Sequence, residues 1–393
     1  MDETLHPALL PDGLRDILPP DAEIEATHVE RLMTVLGSHG YERVKPPLIE
    51  FEESLLGGPG SGMASDTFRL MDPISRRMIG VRADMTLQVA RIATTRLVMS
   101  PRPLRLGYAG QVLRVHGTQI RPERQVGQVG GELIGSAAPA ADAEVVTLAA
   151  EALTTIGVAG LSVDLTLPTL VPAVLAALDV PDRKVALLRS ALDRKDAAAI
   201  AAIGGAAGDL LGRLLMAAGP AARALAALKA IDLPGEAAVA RDRLVEVVAL
   251  IQATAPALAM TIDPVENRGF EYHSGISFTV FARGIRGELG RGGRYFAGEL
   301  MAEMGDGRTG AAAQPEPATG FTLYTDTVIK AAPKPIAGRR VLLPIEVSPA
   351  AARELRSAGW ITVAALAAVA DPVVEARRLG CGHVLLDGKL REL

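Results

Sequence analysis

A block of alanine and leucine with few β-branched runs, residues 169–256, divides two stretches that read as strands. Before it, short apolar runs at 77–82, 104–108, 111–115 and 128–134 are cut by Gly and Pro; after Gly269, strand signals return at 276–281 and around 292–296. A few strands cannot bury a sheet alone, so the later ones must rejoin the earlier ones. The block is therefore a helical insert in one sheet-based domain. Helical spacing also appears at 22–40, where Ile24, Val29, Leu32, Val35 and Leu36 precede Gly37 and Gly40, and again at 84–97 and 142–156. Strands with helices between them predict an α+β class.

At 393 residues, and roughly 150 per domain, the chain needs more than one packed unit. Residues 336–393 supply a small one with a β-α-β-α-β pattern (341–345, 349–358, 361–365, 372–379, 383–386), beyond a Gly/Ala/Pro-rich loop at 306–317 and a linker at 331–335. Residues 1–330 form the larger. Lys+Arg of 41 against Asp+Glu of 45 leaves a formal charge of −4, without the basic excess of a phosphate-tracking surface. The single cysteine, Cys381, allows no internal disulfide and fits a reducing cytoplasm. Residues 1–20 lack the apolar stretch of a signal peptide, and the apolar run 358–370 is shorter than the roughly 18 residues that cross a bilayer. Neither a nucleic-acid nor a membrane partner is expected.

Several motifs fail on spacing. The run Gly57-Gly58-Pro59-Gly60-Ser61-Gly62 is not a Walker loop and has no Lys-Ser/Thr after it. The six histidines include no pair at helical ligand spacing, so no metal is expected. Ser136 does not sit in a Gly-x-Ser-x-Gly elbow. No cofactor is expected either.

Charged and amide side chains on strands and at strand ends are harder to explain as core. Arg82 ends a strand, and Asp84 offers a carboxylate at the turn into a helix, where it would equally serve as an N-cap. Arg114 closes the next run, a polar loop follows to Arg124, and the chain returns through Gln128, Gly130 and Glu132, which share one strand face at period two. An amide and a carboxylate around a glycine that leaves room for a ligand suit a small zwitterion, with Arg114 to meet its carboxylate. The alternative is that Arg114 and Glu132 pair with each other. Arg268-Gly269 and Tyr272-His273 precede a later strand, and Gly290-Arg291-Gly292-Gly293-Arg294-Tyr295 can be read as only a turn.

In order, spacing and flanks these segments resemble the catalytic core of histidyl-tRNA synthetase, a class II synthetase, over about residues 10–330. Gly13-Leu14-Arg15-Asp16-Ile17-Leu18-Pro19 is similar to that family's start, and Gly40-Tyr41 through Pro46-Pro47 to its dimer-forming motif 1. Arg82-Ala83-Asp84-Met85-Thr86 stands where the family has Arg-Pro-Glu-Gly-Thr. Residues 114–132 align with the motif 2 hairpin, and Arg268-Gly269 with Arg-Gly-Leu-Asp-Tyr-Tyr. The resemblance implies a class II antiparallel sheet flanked by helices and a histidine site. Asp84, Thr86 and Gln128 would take the α-ammonium, Arg114 and Arg268 the carboxylate side, and Glu132 an imidazole nitrogen, with Tyr272 and His273 closing the ring pocket. His273 departs from a family tyrosine.

The nucleotide half departs further. Motif 2's Arg-x-Glu reads Arg114-Val115-His116, and Thr327 stands where motif 3 carries the arginine that grips the γ-phosphate. Threonine has neither the charge nor the donor fork of a guanidinium, so no catalysis by this chain is implied. Residues 336–393 look like a truncated anticodon-binding domain, with eight Lys/Arg against six Asp/Glu. A histidine pocket kept beside decayed ATP and tRNA elements resembles the synthetase paralogues that serve as regulatory subunits of short-form ATP phosphoribosyltransferase, at the first step of histidine biosynthesis. That implies L-histidine as feedback ligand. It also implies a homodimer inside a hetero-oligomer with the catalytic subunit, whose activity would require this chain. An active histidyl-tRNA synthetase and a free-standing amino-acid binding module are the alternatives.

Overall fold

The computed structural model describes residues 9–56, 62–117, 121–266, 273–298, 315–334 and 338–393. By contacts the chain divides into two units, Met1–Pro333 and Lys334–Leu393.

The first unit opens with α1 (Asp21–Ser38), β1 (Glu42–Arg43), β2 (Ile49–Phe51), α2 (Glu52–Leu56), β3 (Arg69–Met71), β4 (Met78–Val81) and α3 (Thr86–Thr95). Next come β5 (Leu104–Leu113), β6 (Gln125–Ile134), α4 (Pro139–Thr155) and β7 (Leu161–Thr166). The insert is α5 (Leu170–Ala177), α6 (Asp182–Asp193), α7 (Ala197–Ile203), α8 (Gly205–Met216), β8 (Gly219–Pro220), α9 (Ala221–Lys229) and α10 (Gly235–Thr254). The chain then returns through β9 (Ala259–Asp263), β10 (Ser277–Ala282), β11 (Gly290–Ala297), β12 (Glu316–Tyr324) and α11 (Thr325–Ala331).

Nine strands make one sheet in the order β1-β5-β6-β12-β11-β10-β7-β9-β8. From β5 through β7 every neighbour is antiparallel, while β1–β5 and β7–β9 are parallel. The class II-like sheet is thus split by the insert, and strands from both sides of it interleave at β6–β12. Period two then sorts the side chains. Val129, Leu133, Phe278, Phe321 and Leu323 join α1, α4 and the insert helices in one core. The alternate residues Leu104, Leu106, Tyr108, Val112, Ile134, Tyr295 and Tyr324 pack with Met85, Val89 and Ala93 around α3. The polar site lies on this second face.

One carboxylate joins distant segments. Asp142, in the first turn of α4 and 2% exposed, accepts from Arg294 Nε of β11 at 2.9 Å and Arg243 Nη2 of α10 at 2.9 Å. Arg294 also donates to the Ser136 and Ala138 carbonyls, and Arg243 to that of Ala137.

Some expectations need correction. The runs 104–108 and 111–115 are joined in one strand, β5, which ends at Leu113, because Gly110 between them is a packing site, as is Gly107. A Cβ on Gly107 would press on Met33 and Leu36 of α1, and one on Gly110 on Arg82. Residues 290–295 are not a turn but most of β11, where Gly290 and Gly292 let the β12 carbonyls of Thr322 and Gly320 come close. Glu316 and Pro317, read as loop, begin β12; the rest of that loop up to residue 314 lies outside the described residues, as do 57–61 of the glycine run.

The second unit contains β13 (Arg340–Leu343), α12 (Pro349–Ser357), β14 (Ile361–Ala364), α13 (Pro372–Arg378), β15 (His383–Leu386) and β16 (Lys389–Glu392), with sheet order β14-β13-β15-β16. Ser348 and Asp371 cap its two helices through side-chain oxygens. The strand β16 is exposed at every position, so its sequence carries no alternation to announce it. Among the described residues of the chain, no helix is long and apolar enough to cross a membrane.

Candidate functional site

On the α3 face, strand register brings the polar residues into line. Glu132 of β6 stands opposite Leu106 of β5 and Gly320 of β12, and Gly320 pairs with Gly293 of β11. One step along, Tyr108, Gly130, Thr322 and Arg291 form the next row across the same strands. A cavity of about 30 Å³ is lined by Asp84, Thr86, Glu132, His273, Arg291, Tyr295 and Tyr324, with Gly293 and Gly320 as its floor.

Glu132 is 1% exposed. The Tyr108 hydroxyl donates to its Oε1 at 3.1 Å and the Tyr295 hydroxyl to its Oε2 at 3.0 Å. Burial pushes its pKa up to about 8 and Asp84 adds to the rise, while hydrogen bonds from Tyr295, Tyr108 and Thr86 pull the other way. Ordered in this way, the carboxyl group can accept a ligand N–H. A Cβ on Gly320 would collide with it, so glycine there keeps the floor open.

Asp84 follows a strand end pinned by Arg82, whose guanidinium donates to the Gln111 and Pro46 carbonyls at 2.8 and 3.1 Å. The Asp84 Oδ1 accepts from the Thr86 amide at 2.8 Å, an Asx turn one residue before the N-cap Met85 rather than the N-cap itself, and Oδ2 accepts from Gln128 Nε2 at 2.7 Å. Gln128 Oε1 in turn accepts from the Met85 amide at 3.0 Å. Gln128 thus orients Asp84, and the aspartate, with Thr86 beside it, presents the negative charge that an ammonium requires.

The structure therefore brings Asp84, Thr86, Gln128, Glu132 and His273 together. Arg114 stands just past β5 and does not line the cavity, though its charge acts on Tyr324. Glu132 is bonded by tyrosines, so the pairing with Arg114 does not form. Arg268 and Tyr272 lie outside the described residues. Gly130 does not leave space for a ligand: a Cβ there would strike the ring and hydroxyl of Tyr108, so its bareness admits the tyrosine that holds Glu132. Sequence reasoning missed Tyr108, Tyr295 and Arg291. The period-two spacing of Arg291, Gly293 and Tyr295 was the available signal, masked by three glycines that read as a turn.

Beside Arg291, outside the cavity lining, stands a cluster of opposite charges. Arg121 stacks over the Tyr324 ring at 4.1 Å, donates to the Glu288 carbonyl at 3.2 Å and faces Asp326 at 3.5 Å. Thr327 donates to the same Glu288 carbonyl at 2.8 Å, so its hydroxyl is committed to the backbone.

Sheet, insert and pocket define a class II, histidyl-tRNA synthetase-like core. The histidyl-tRNA synthetase family model matches residues 13–328. The fold resembles a solved structure described as an ATP phosphoribosyltransferase regulatory subunit/histidyl-tRNA synthetase from Bacillus halodurans (TM-score 0.78, 23% identity, 94% of this chain and 96% of that one). It also resembles histidyl-tRNA synthetase from Nostoc (TM-score 0.79, 15% identity, 98% and 96%). Curated relatives named ATP phosphoribosyltransferase regulatory subunit are 61% identical in Rhodospirillum centenum, over 100% of this chain and 98% of the relative, and 44% identical in Gluconobacter oxydans, over 100% and 99%. The chain belongs to the ATP phosphoribosyltransferase regulatory subunit family.

Proposed function

We propose that the chain is a noncatalytic regulatory subunit that binds free L-histidine in the Asp84–Glu132 cleft and transmits its presence to a short-form ATP phosphoribosyltransferase catalytic subunit in the cytoplasm. Histidine inhibits the partner, and the partner's activity requires this chain. The assembly is a hetero-oligomer built on a homodimer of this chain through its motif 1 region. Residues 1–330 carry the sensor, and 336–393 are the remnant of an anticodon-binding domain. Asp84 takes the α-ammonium and Glu132 a ring N–H, groups that one small ligand with an imidazole offers together.

The observation that carries this reading is the contrast inside one cleft. An ordered, buried acceptor faces Asp84, while the position of a phosphate-gripping arginine is a threonine bonded to a backbone carbonyl. Inhibition requires histidine to bind the inhibited assembly more tightly than the active one, and couplings of about 1–3 kcal/mol are usual. The test is a calorimetric histidine titration of the chain with and without a short-form catalytic subunit, alongside that enzyme's rate. Binding with inhibition is expected; a rate indifferent to histidine, or histidine-dependent exchange of pyrophosphate into ATP by the pure chain, overturns the reading.

A further inference from the structure

We propose that Arg291 receives the α-carboxylate of the bound amino acid and so sets the site's preference for an intact amino acid over an amine or alcohol of the same side chain. The inference rests on the histidine reading of the cleft and adds a third residue to Arg114 and Arg268, which the synthetase resemblance gives the carboxylate side; of those two, Arg114 does not line the cavity and Arg268 lies outside the described residues. A zwitterion leaving water needs a cation at its carboxylate as much as an anion at its ammonium. Among the described residues lining the cavity, Asp84 and Glu132 are acidic, and Arg291 is the one that carries a permanent positive charge.

Its position suits the task. Glu132 and Arg291 stand two strands apart and one pleat step out of line. Strand spacing puts their Cα atoms about 12 Å from each other, roughly 10 Å across and 7 Å along. A glutamate and an arginine reaching over that span toward a common cavity leave a gap of amino-acid length, with Asp84 at its flank. Arg291 is also ordered: its Nη2 donates to Glu288 Oε1 at 2.6 Å. The planar guanidinium carries five N–H donors, so it can hold Glu288 and a ligand carboxylate together, the latter in two parallel bonds.

The small cavity adds a mechanical reason. About 30 Å³ holds about one or two waters rather than an amino acid, so binding has to displace part of the lining. Glu132 is locked by two tyrosines and Asp84 by Gln128 and the Thr86 amide. Arg291, on a flexible stem with its side chain 35% exposed, is a wall that can swing aside and close on the ligand.

The experiment is calorimetric titration of the full chain with histidine and with histidinol, which replaces the carboxylate by a hydroxymethyl group. Native chain, Arg291→Gln and Arg291→Lys are compared, with thermal melting to verify the fold. Arg291→Gln should weaken histidine roughly 30-fold or more while moving histidinol less than about threefold, and Arg291→Lys should fall between. Should the native chain give no heat with histidinol, the loss of histidine affinity at an unchanged melting temperature decides for the proposal. Histidine held by Arg291→Gln within about threefold of native, or both ligands weakened alike, overturns it. If the native chain prefers another amino acid, the histidine reading fails and that amino acid against its alcohol judges Arg291 instead; a chain that binds no amino acid sinks both.

Discussion

The two ends of one cleft have had opposite fates. At the cavity end, Glu132 and Asp84 are each held by uncharged partners, two tyrosine hydroxyls and a glutamine amide, and glycines 293 and 320 keep the floor bare. At the other end Arg121 lies within reach of both Glu288 and Asp326 and stacks over Tyr324, while Arg291 stands on the border between the two ends. Acidic groups oriented by neutral partners stay ready for a ligand. Opposite charges close enough to pair attract each other rather than a ligand.

The hardest way to break this contrast is to fill the floor. Gly320→Ala should push histidine binding beyond detection and cost about 1–3 kcal/mol of stability through overpacking, read by calorimetry and by denaturant unfolding. Glu132→Ala comes next, with a loss of about 2–5 kcal/mol of histidine binding free energy.

The isosteric Glu132→Gln sharpens the comparison through pH. Because burial raises this carboxyl from the usual 4.5 to about 8, the fold holds the proton more tightly than the unfolded chain does. The stability tied to that proton is fully present below about 4.5 and is lost as pH rises through about 8. Glu132→Gln, with no charge to bury, should therefore melt increasingly above the native chain as pH climbs across that window. A difference that stays flat from about pH 5 to 9 contradicts the buried, ionisable state.

At the charged end, effects should fall on stability alone. Arg121→Ala is expected to remove about 1–3 kcal/mol by leaving Glu288 and Asp326 without their shared cation, with histidine affinity changed less than about twofold. Thr327→Ala should cost about 1 kcal/mol and leave histidine binding untouched. Thr327→Arg should not create pyrophosphate exchange, since the surrounding charges are already paired.

Much of the fold was legible because burial writes itself into periodicity. The spacing of Ile24, Leu32, Val35 and Leu36 located α1, and the hairpin through Arg114 and Glu132 is β5–β6. What misled was glycine. Gly110 and Gly292 look like chain breaks when read locally, but each is small because something distant presses on it, an Arg82 guanidinium in one case and a Gly320 carbonyl in the other. The site was half legible for the same reason. Asp84, Gln128 and Glu132 sit in short, readable segments, whereas Tyr295 and Arg291 reach the cavity from a strand separated from β6 by the whole insert, a proximity no local pattern encodes.

Asp142 lends the molecule a lever. Its two arginines come from α10, the last helix of the insert, and from β11, where Arg294 is the immediate neighbour of Gly293 in the cavity floor. A displacement of the insert's last helix would therefore be carried, through a single carboxyl group, to the floor of the cavity, and a change in that floor would return to the insert by the same route.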